Sequence, residues 1–212
     1  MKNLLSKKTL NKYSRQIILK DVGIIGQKKI FNSKILVVGA GGLGSPVIDL
    51  LVRAGVGFLG VIEDDKVDYS NLHRQTLYDY NDVGKYKSDV IKKKIKSIND
   101  KIKLKIFKER AKDKNLSKIL PKFDIIVDGT DNFPTKFLLN KYSLKYRKKL
   151  VIGAISKFDG HIFSFDFSQK KIPCLNCFYQ GMPSDEILNC EAEGILGPTA
   201  NVIGALQANE VL

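Results

Sequence analysis

At 212 residues the chain is long enough for one domain with a substantial core, and none of its apolar runs reaches bilayer-spanning length. Met1 to Lys8 lacks the apolar stretch and cleavage site of a secretory signal, so a soluble cytoplasmic protein is expected. The formal charge of +14 invites nucleic acid as a partner, yet only five of the 36 basic residues are arginine and no aromatic-interleaved basic patch occurs; solvated helix faces such as Lys92-Lys93-Lys94, or an acidic partner, account for the surplus.

Taken in order, Thr9 to Leu19 reads as a short amphipathic segment, which Gly23 and Gly26 break from a helix-like Gln27 to Phe31. Residues 1–30 thus form an N-terminal helical segment ahead of a main domain over 31–212. Arg15 falls in the first segment and by itself reads as a surface charge. Ile35 to Val38 is a strand buried on both faces, stopped by Gly39. Gly39, Gly41 and Gly44 make a GxGxxG turn, Ser45 is placed to cap the helix that follows, and Pro46 suits its first turn. Such a turn lets phosphates approach backbone N–H groups at a helix N-terminus; it can equally serve only to pack strand on helix. Phe58 to Glu63 is a second strand, and its closing Glu63-Asp64-Asp65 lies where a ribose-binding carboxylate is wanted.

Val67 to Thr76 has neither helix nor strand period and is dense in groups that bind phosphate or metal, as loops beyond strand ends commonly are. Lys87 opens a helix with an apolar stripe of Val90, Ile91, Ile95 and Ile98; a cation there opposes the helix dipole unless it meets an anion. Ile102 to Ile106 alternates as a strand, Leu116 to Leu120 suggests a short helix, and Phe123 to Asp128 is another buried strand. Asp131 then sits at that strand's carboxyl end, either binding a ligand or capping the helix from about Pro134 to Tyr146. Leu150 to Ser156 continues the sheet, Phe158-Asp159-Gly160 reads as a hairpin turn, and His161 to Phe167 returns antiparallel, with His161 structural. The fold class is α/β, a Rossmann-like mostly parallel sheet with helices on both faces and an antiparallel C-terminal extension.

Three cysteines give no disulfide framework. Cys174 and Cys177 have the spacing of half a zinc knuckle, and Cys190 stands alone. Met182 to Gly197 reads as a mobile loop, and Thr199 to Leu212 as an apolar helix ending without a capping signal, so a shortened C-terminal end is expected.

Tyr13-Ser-Arg-Gln-Ile, Gly39-Ala-Gly-Gly-Leu-Gly, Ser70-Asn-Leu-His-Arg-Gln, Lys87, Asp128-Gly-Thr-Asp-Asn, the Cys174/Cys177 pair and Gly194-Ile-Leu-Gly-Pro together resemble the ThiF/MoeB/HesA family of adenylyltransferases, in order and from about Tyr13 onward. The resemblance implies ATP-dependent activation of the C-terminal glycine of a small ubiquitin-like sulfur carrier, of molybdopterin or thiamine type, ending in Gly-Gly. It places Gly41 and Gly42 against the nucleotide and Glu63 on the ribose. Asp65, Asn71, Arg74 and Lys87 fall on the phosphates, with Ser70, Leu72, His73 and Asn132 in the same nucleotide-binding stretches. Asp131 would bind magnesium, and Arg15 would reach the triphosphate of the neighbouring subunit in a homodimer. Cys190 matches the cysteine that some members use on the carrier's carboxylate or in sulfur transfer. Glu63 departs from the more usual Asp, and the family's second zinc-binding cysteine pair falls beyond Leu212. A relative acting on a tRNA base uses similar motifs. From other classes, an NAD or FAD oxidoreductase fits the glycine turn but leaves Asn71, Arg74, Lys87 and Asp131 without a role, and an inactive carrier-binding module is a third reading.

Overall fold

The computed structural model describes residues 5–181 and 194–212. The elements are α1 (Lys7–Lys12), α2 (Ser14–Ile17), α3 (Gly23–Asn32), β1 (Lys34–Val38), α4 (Gly44–Ala54), β2 (Phe58–Ile62), α5 (Lys87–Ile98), β3 (Lys103–Phe107), α6 (Asp113–Ile119), β4 (Ile125–Asp128), α7 (Phe133–Lys145), β5 (Lys149–Ser156), β6 (Asp159–Asp166), α8 (Leu175–Tyr179) and α9 (Gly197–Val211). They build a six-stranded sheet in the order β3-β2-β1-β4-β5-β6, in which β6 alone runs antiparallel. This is the mostly parallel α/β architecture expected from the apolar runs.

Period-two alternation explains the two layers. Ile35 and Val37 of β1 enter a core with Ile48, Leu51, Val61 and Ile91, whereas Leu36 and Val38 enter the opposite one with Leu120, Phe123, Ile126 and Leu139. Each such side chain contributes about 1.5–3 kcal/mol on burial. Chain order places the site. From β1 the connections build outward to β3 and then return to β4 on the other side, so the crevice that receives ligands in such sheets opens beyond the carboxyl ends of β1 and β4.

The glycines correct several boundaries. Gly26 lies inside α3, which begins at Gly23, instead of breaking a segment before Gln27. Ser45 does not cap α4: its hydroxyl turns back to donate to Ala40 O at 3.2 Å, and the helix begins at Gly44 without a side-chain cap. The hairpin turn falls on Lys157 and Phe158, and Gly160 belongs to β6, where a Cβ would overlap Ile203 of α9. That glycine serves close approach, not the turn. The N-terminal helices are tied to the body through Gln27, which donates to Ala54 O at 3.0 Å, and through Tyr13, whose hydroxyl accepts from Asn99 Nδ2 at 3.3 Å. No helix among the described residues is long and apolar enough to cross a membrane.

Candidate nucleotide site

Beyond those strand ends lies a cavity of about 1540 Å³, lined among others by Gly41, Gly42, Glu63, Asp65, His73, Arg74, Lys87, Asp131 and Asn132. The glycine turn forms its floor. Gly39 takes a left-handed φ of 83°, and the turn after β4 packs on it so closely that a Cβ on Gly129 would stand 2.8 Å from Gly39 O. Gly41 differs: an added Cβ there meets only Gln75 Nε2, at 3.7 Å. The fold therefore does not need a glycine at 41, whereas a phosphate approaching the backbone does.

Three polar groups fix the turn at Ala40. Its N–H donates to Glu63 Oε2 at 2.8 Å, and its carbonyl accepts from Tyr78 Oη at 2.9 Å and from Ser45. Burial, reinforced by the Glu63 carboxylate, pushes the Tyr78 hydroxyl well above its ordinary value, so it stays a donor. The other Glu63 oxygen accepts from Asp65 N at 2.9 Å. Glu63 thus clasps the ends of β1 and β2 together, and each oxygen keeps lone-pair capacity for a ribose hydroxyl.

Lys87, the first residue of α5, is only 4 % exposed. Among the described residues its ammonium forms one ion pair, with Asp65 Oδ2 at 3.4 Å, and that carboxyl is largely solvated. Arg74 folds over its own loop, donating through Nη1 to Ser70 O at 3.0 Å and to His73 Nε2 at 2.7 Å. Ser70, Asn71 and Leu72 are not on the cavity wall. Asp68 holds the first through its N–H and hydroxyl, Asn71 Oδ1 accepts from Asp68 N, and Leu72 packs on the core. Asp131 is exposed, and among the described residues its only side-chain bond is a 3.4 Å contact from Asn132 Nδ2. It does not cap α7; Asn132 does, accepting from Thr135 N at 3.0 Å.

Sequence reasoning passed over Lys136 and Arg110, both on the wall, because lysines are everywhere in this chain and nothing in its spacing marked either residue. Arg110 pairs with Asp64 at 3.3 Å, bringing the end of β3 to that of β2. Arg15 is exposed on α2 and does not line its own chain's cavity. Cys190 lies outside the described residues, as do positions 182–193 of the loop read from Met182 to Gly197.

Asp131 suits a magnesium ion carried by a triphosphate, since such ions take one or two carboxylates besides phosphate oxygens and water. Among the described residues one acidic trio, Glu63, Asp64 and Asp65, stands close enough to share an ion, but these carboxylates are engaged by backbone N–H groups, Arg110 and Lys87. Cys174 and Cys177 face each other with 3.7 Å between sulfurs, close to the ~3.8 Å edge of a tetrahedron with zinc–sulfur bonds of about 2.3 Å. Burial opposes the Cys174 thiolate, but hydrogen bonds from Cys177 and Asn140 outweigh it and hold the thiol below its usual value.

Fold and cavity together define an α/β protein of the Rossmann type whose cavity beyond the strand ends is lined by both cations and carboxylates. The ThiF family model matches residues 13–212, and the chain belongs to that family. It is 40% identical over 211 residues to a sulfur carrier protein adenylyltransferase of Thermus thermophilus, covering 98% of this chain and 78% of that one. A probable molybdopterin-synthase adenylyltransferase of Gracilaria tenuistipitata is 38% identical, with 98% of this chain and 58% of the relative covered. Among solved structures, E. coli MccB superposes with a TM-score of 0.82 at 26% identity, over 96% of this chain and 61% of MccB. Against two of these three the chain therefore spans less than two thirds of their length.

Proposed function

We propose that the chain is an ATP-dependent adenylyltransferase that activates the C-terminal glycine carboxylate of a small ubiquitin-like sulfur carrier. A carboxylate oxygen attacks the α-phosphorus, a new P–O bond forms, the bond to the β-phosphate oxygen breaks, and pyrophosphate leaves. The single observation that carries this reading is Lys87, a buried ammonium whose one ion pair among the described residues is to a half-exposed carboxylate, on the wall of a cavity whose floor is bare glycine backbone. Two anions must be brought together in such a step, so fixed positive charge and in-line placement do the catalysis and no protein nucleophile is required. The cavity exceeds the roughly 300–1,000 Å³ of ordinary small-ligand pockets, which supports a second reactant beside the nucleotide.

In this reading Gly41 and Gly42 receive phosphate, Glu63 the ribose, and Arg74 and Lys87 the triphosphate. Asp131 holds magnesium, whose charge offsets that of the phosphates. Arg15 serves the cavity of a partner copy, and the exposed Ile18 and Leu19 just after α2, with Val202 and Leu206 on α9, give a homodimer apolar surface to cover. Cys174 and Cys177 would supply two corners of a tetrahedral zinc site, and Cys190 attacks the carrier acyl-adenylate, forming a thioester as AMP leaves, or assists sulfur transfer. The setting is cytoplasmic, where ATP is supplied.

The test is ATP–pyrophosphate exchange with a Gly-Gly-terminated carrier, followed by mass measurement of its AMP adduct. Carrier-dependent exchange that disappears in Lys87→Ala is the expected result. Carrier binding without any adduct would leave a binding module instead, and saturable NADH binding in preference to ATP would point to an oxidoreductase.

A further inference from the structure

A buried ammonium needs acceptors for three N–H donors out of reach of water. Lys136, in the first turns of α7 and 4 % exposed, has all three: Asp128 Oδ2 at 2.9 Å, Thr130 O at 2.7 Å and Gly153 O at 2.6 Å. One acceptor ends β4, one lies in the turn after it, and one belongs to β5, so a single side chain ties three segments. Lys136 stands on the cavity wall but has no donor left for a ligand.

The fully buried Asp128 completes the arrangement. Its second oxygen accepts from Thr130 N at 2.9 Å and Thr130 Oγ1 at 2.6 Å. Thr130 is therefore gripped at its N–H and hydroxyl by Asp128 and at its carbonyl by Lys136. The next residue is Asp131, and the one after it, Asn132, is fixed as the cap of α7. Asp131 thus has a backbone pinned on both sides and a carboxylate that is almost uncommitted. Outer groups that orient a ligand-bearing residue are built this way.

We propose that Lys136 is a positioning residue: through Asp128 and Thr130 it sets the turn that presents the Asp131 carboxylate to a nucleotide-borne divalent cation, without touching the nucleotide itself. The identity of that ligand rests on the adenylyltransferase reading; the assignment of Lys136 goes beyond it. An apolar residue of similar length removes the three bonds and strands a buried carboxylate, whereas arginine retains the charge and the donors.

Lys136→Met, Lys136→Arg and Thr130→Val are compared with the parent by hydrogen exchange of a peptide covering residues 129–133, and by binding of a fluorescent ATP analogue titrated with magnesium. Pyrophosphate exchange is followed alongside. In Lys136→Met the peptide should exchange at least tenfold faster, half-saturation should need about tenfold more magnesium, and kcat should fall about tenfold with the KM for ATP within twofold. Lys136→Arg should restore each to within about threefold. Should Lys136→Met fail to fold, Thr130→Val carries the test, with shifts of about threefold in the same directions. An unchanged magnesium requirement in the folded variants would overturn the proposal, as would a raised KM with unaltered kcat. If the parent binds nucleotide and magnesium but exchanges no pyrophosphate with any carrier, the enzymatic reading fails while protection and magnesium binding still decide the role of Lys136.

Discussion

Lys87 and Asp65 stand 3.4 Å apart with very unequal environments: the lysine side chain is 6 % exposed and the carboxyl 54 %. The solvated member supplies little of what a buried cation has lost, so the ammonium remains short of negative charge. In the proposed reading a triphosphate supplies it. Lys87→Met is expected to lower exchange at least about 100-fold, the scale of losing one preorganised charge. Stability should stay equal or rise by up to about 1 kcal/mol, because an underpaired buried charge has been removed. Thermal unfolding together with exchange kinetics checks both parts; a large loss of stability would mean that Lys87 is a structural residue.

Two glycines of the same turn should separate folding from binding. At Gly44 an added Cβ overlaps the Gly39 carbonyl, so Gly44→Ala is expected to destabilise by about 2 kcal/mol or more. At Gly41 nothing in the fold obstructs, so Gly41→Ala should stay within about 0.5 kcal/mol of the parent. It should nevertheless weaken ATP binding at least about tenfold, since a methyl now occupies the phosphate's approach. Calorimetric titration with ATP, beside urea unfolding, distinguishes the two substitutions.

The sheet and much of the candidate site's lining were legible in the sequence: residues buried on both faces write continuous apolar runs, and the cavity opens where those runs stop. Glu63 and Asp131 stand out that way, and Lys87 as a cation set against a helix dipole. What escaped depends on contacts between distant segments. Gly160 resembles a turn glycine locally, and only the approach of Ile203 explains it. Ser45 has the residue type and position of a cap, but Ala40 offers its carbonyl to that hydroxyl instead. Lys136 is one lysine among many until β4 and β5 bring Asp128 and Gly153 to it. Local sequence carries propensity, whereas these roles are fixed by tertiary partners.

Tyr78 makes the turn sensitive to alkali. Its hydroxyl is held above its ordinary value of 10.0 by burial and by the Glu63 charge, while the unfolded chain titrates near that ordinary value. The sign follows: the contribution of the neutral phenol is fully present below about pH 10 and is lost as pH rises toward the raised native value. Tyr78→Phe, which gives up the bond to Ala40 O, should cost about 1 kcal/mol at pH 7. Its stability should also fall less steeply than the parent's between about pH 10 and 11. Urea midpoints across that range are the measurement, and parallel slopes would show that Tyr78 is not the titrating group.

If Arg15 serves the neighbouring cavity, defects at Arg15 and Lys87 belong to different subunits of one site and can complement each other. Arg15→Ala and Lys87→Ala homodimers should each lose most exchange activity, because every site lacks one cation. In a mixed dimer, the cavity of the Arg15→Ala subunit keeps its own Lys87 and borrows the intact Arg15 of the other copy, so one of its two sites is whole. Random reassortment of equal amounts makes half the dimers mixed, and about a quarter of parental activity should return. Arg15 is exposed and away from its own cavity, so activity recovered on mixing has no route other than a shared site. Recovery is measured after dissociation and reassociation of the two variants, with each variant taken through the same cycle alone. No recovery in a preparation that reassociates to dimers would assign Arg15 to the surface of its own chain.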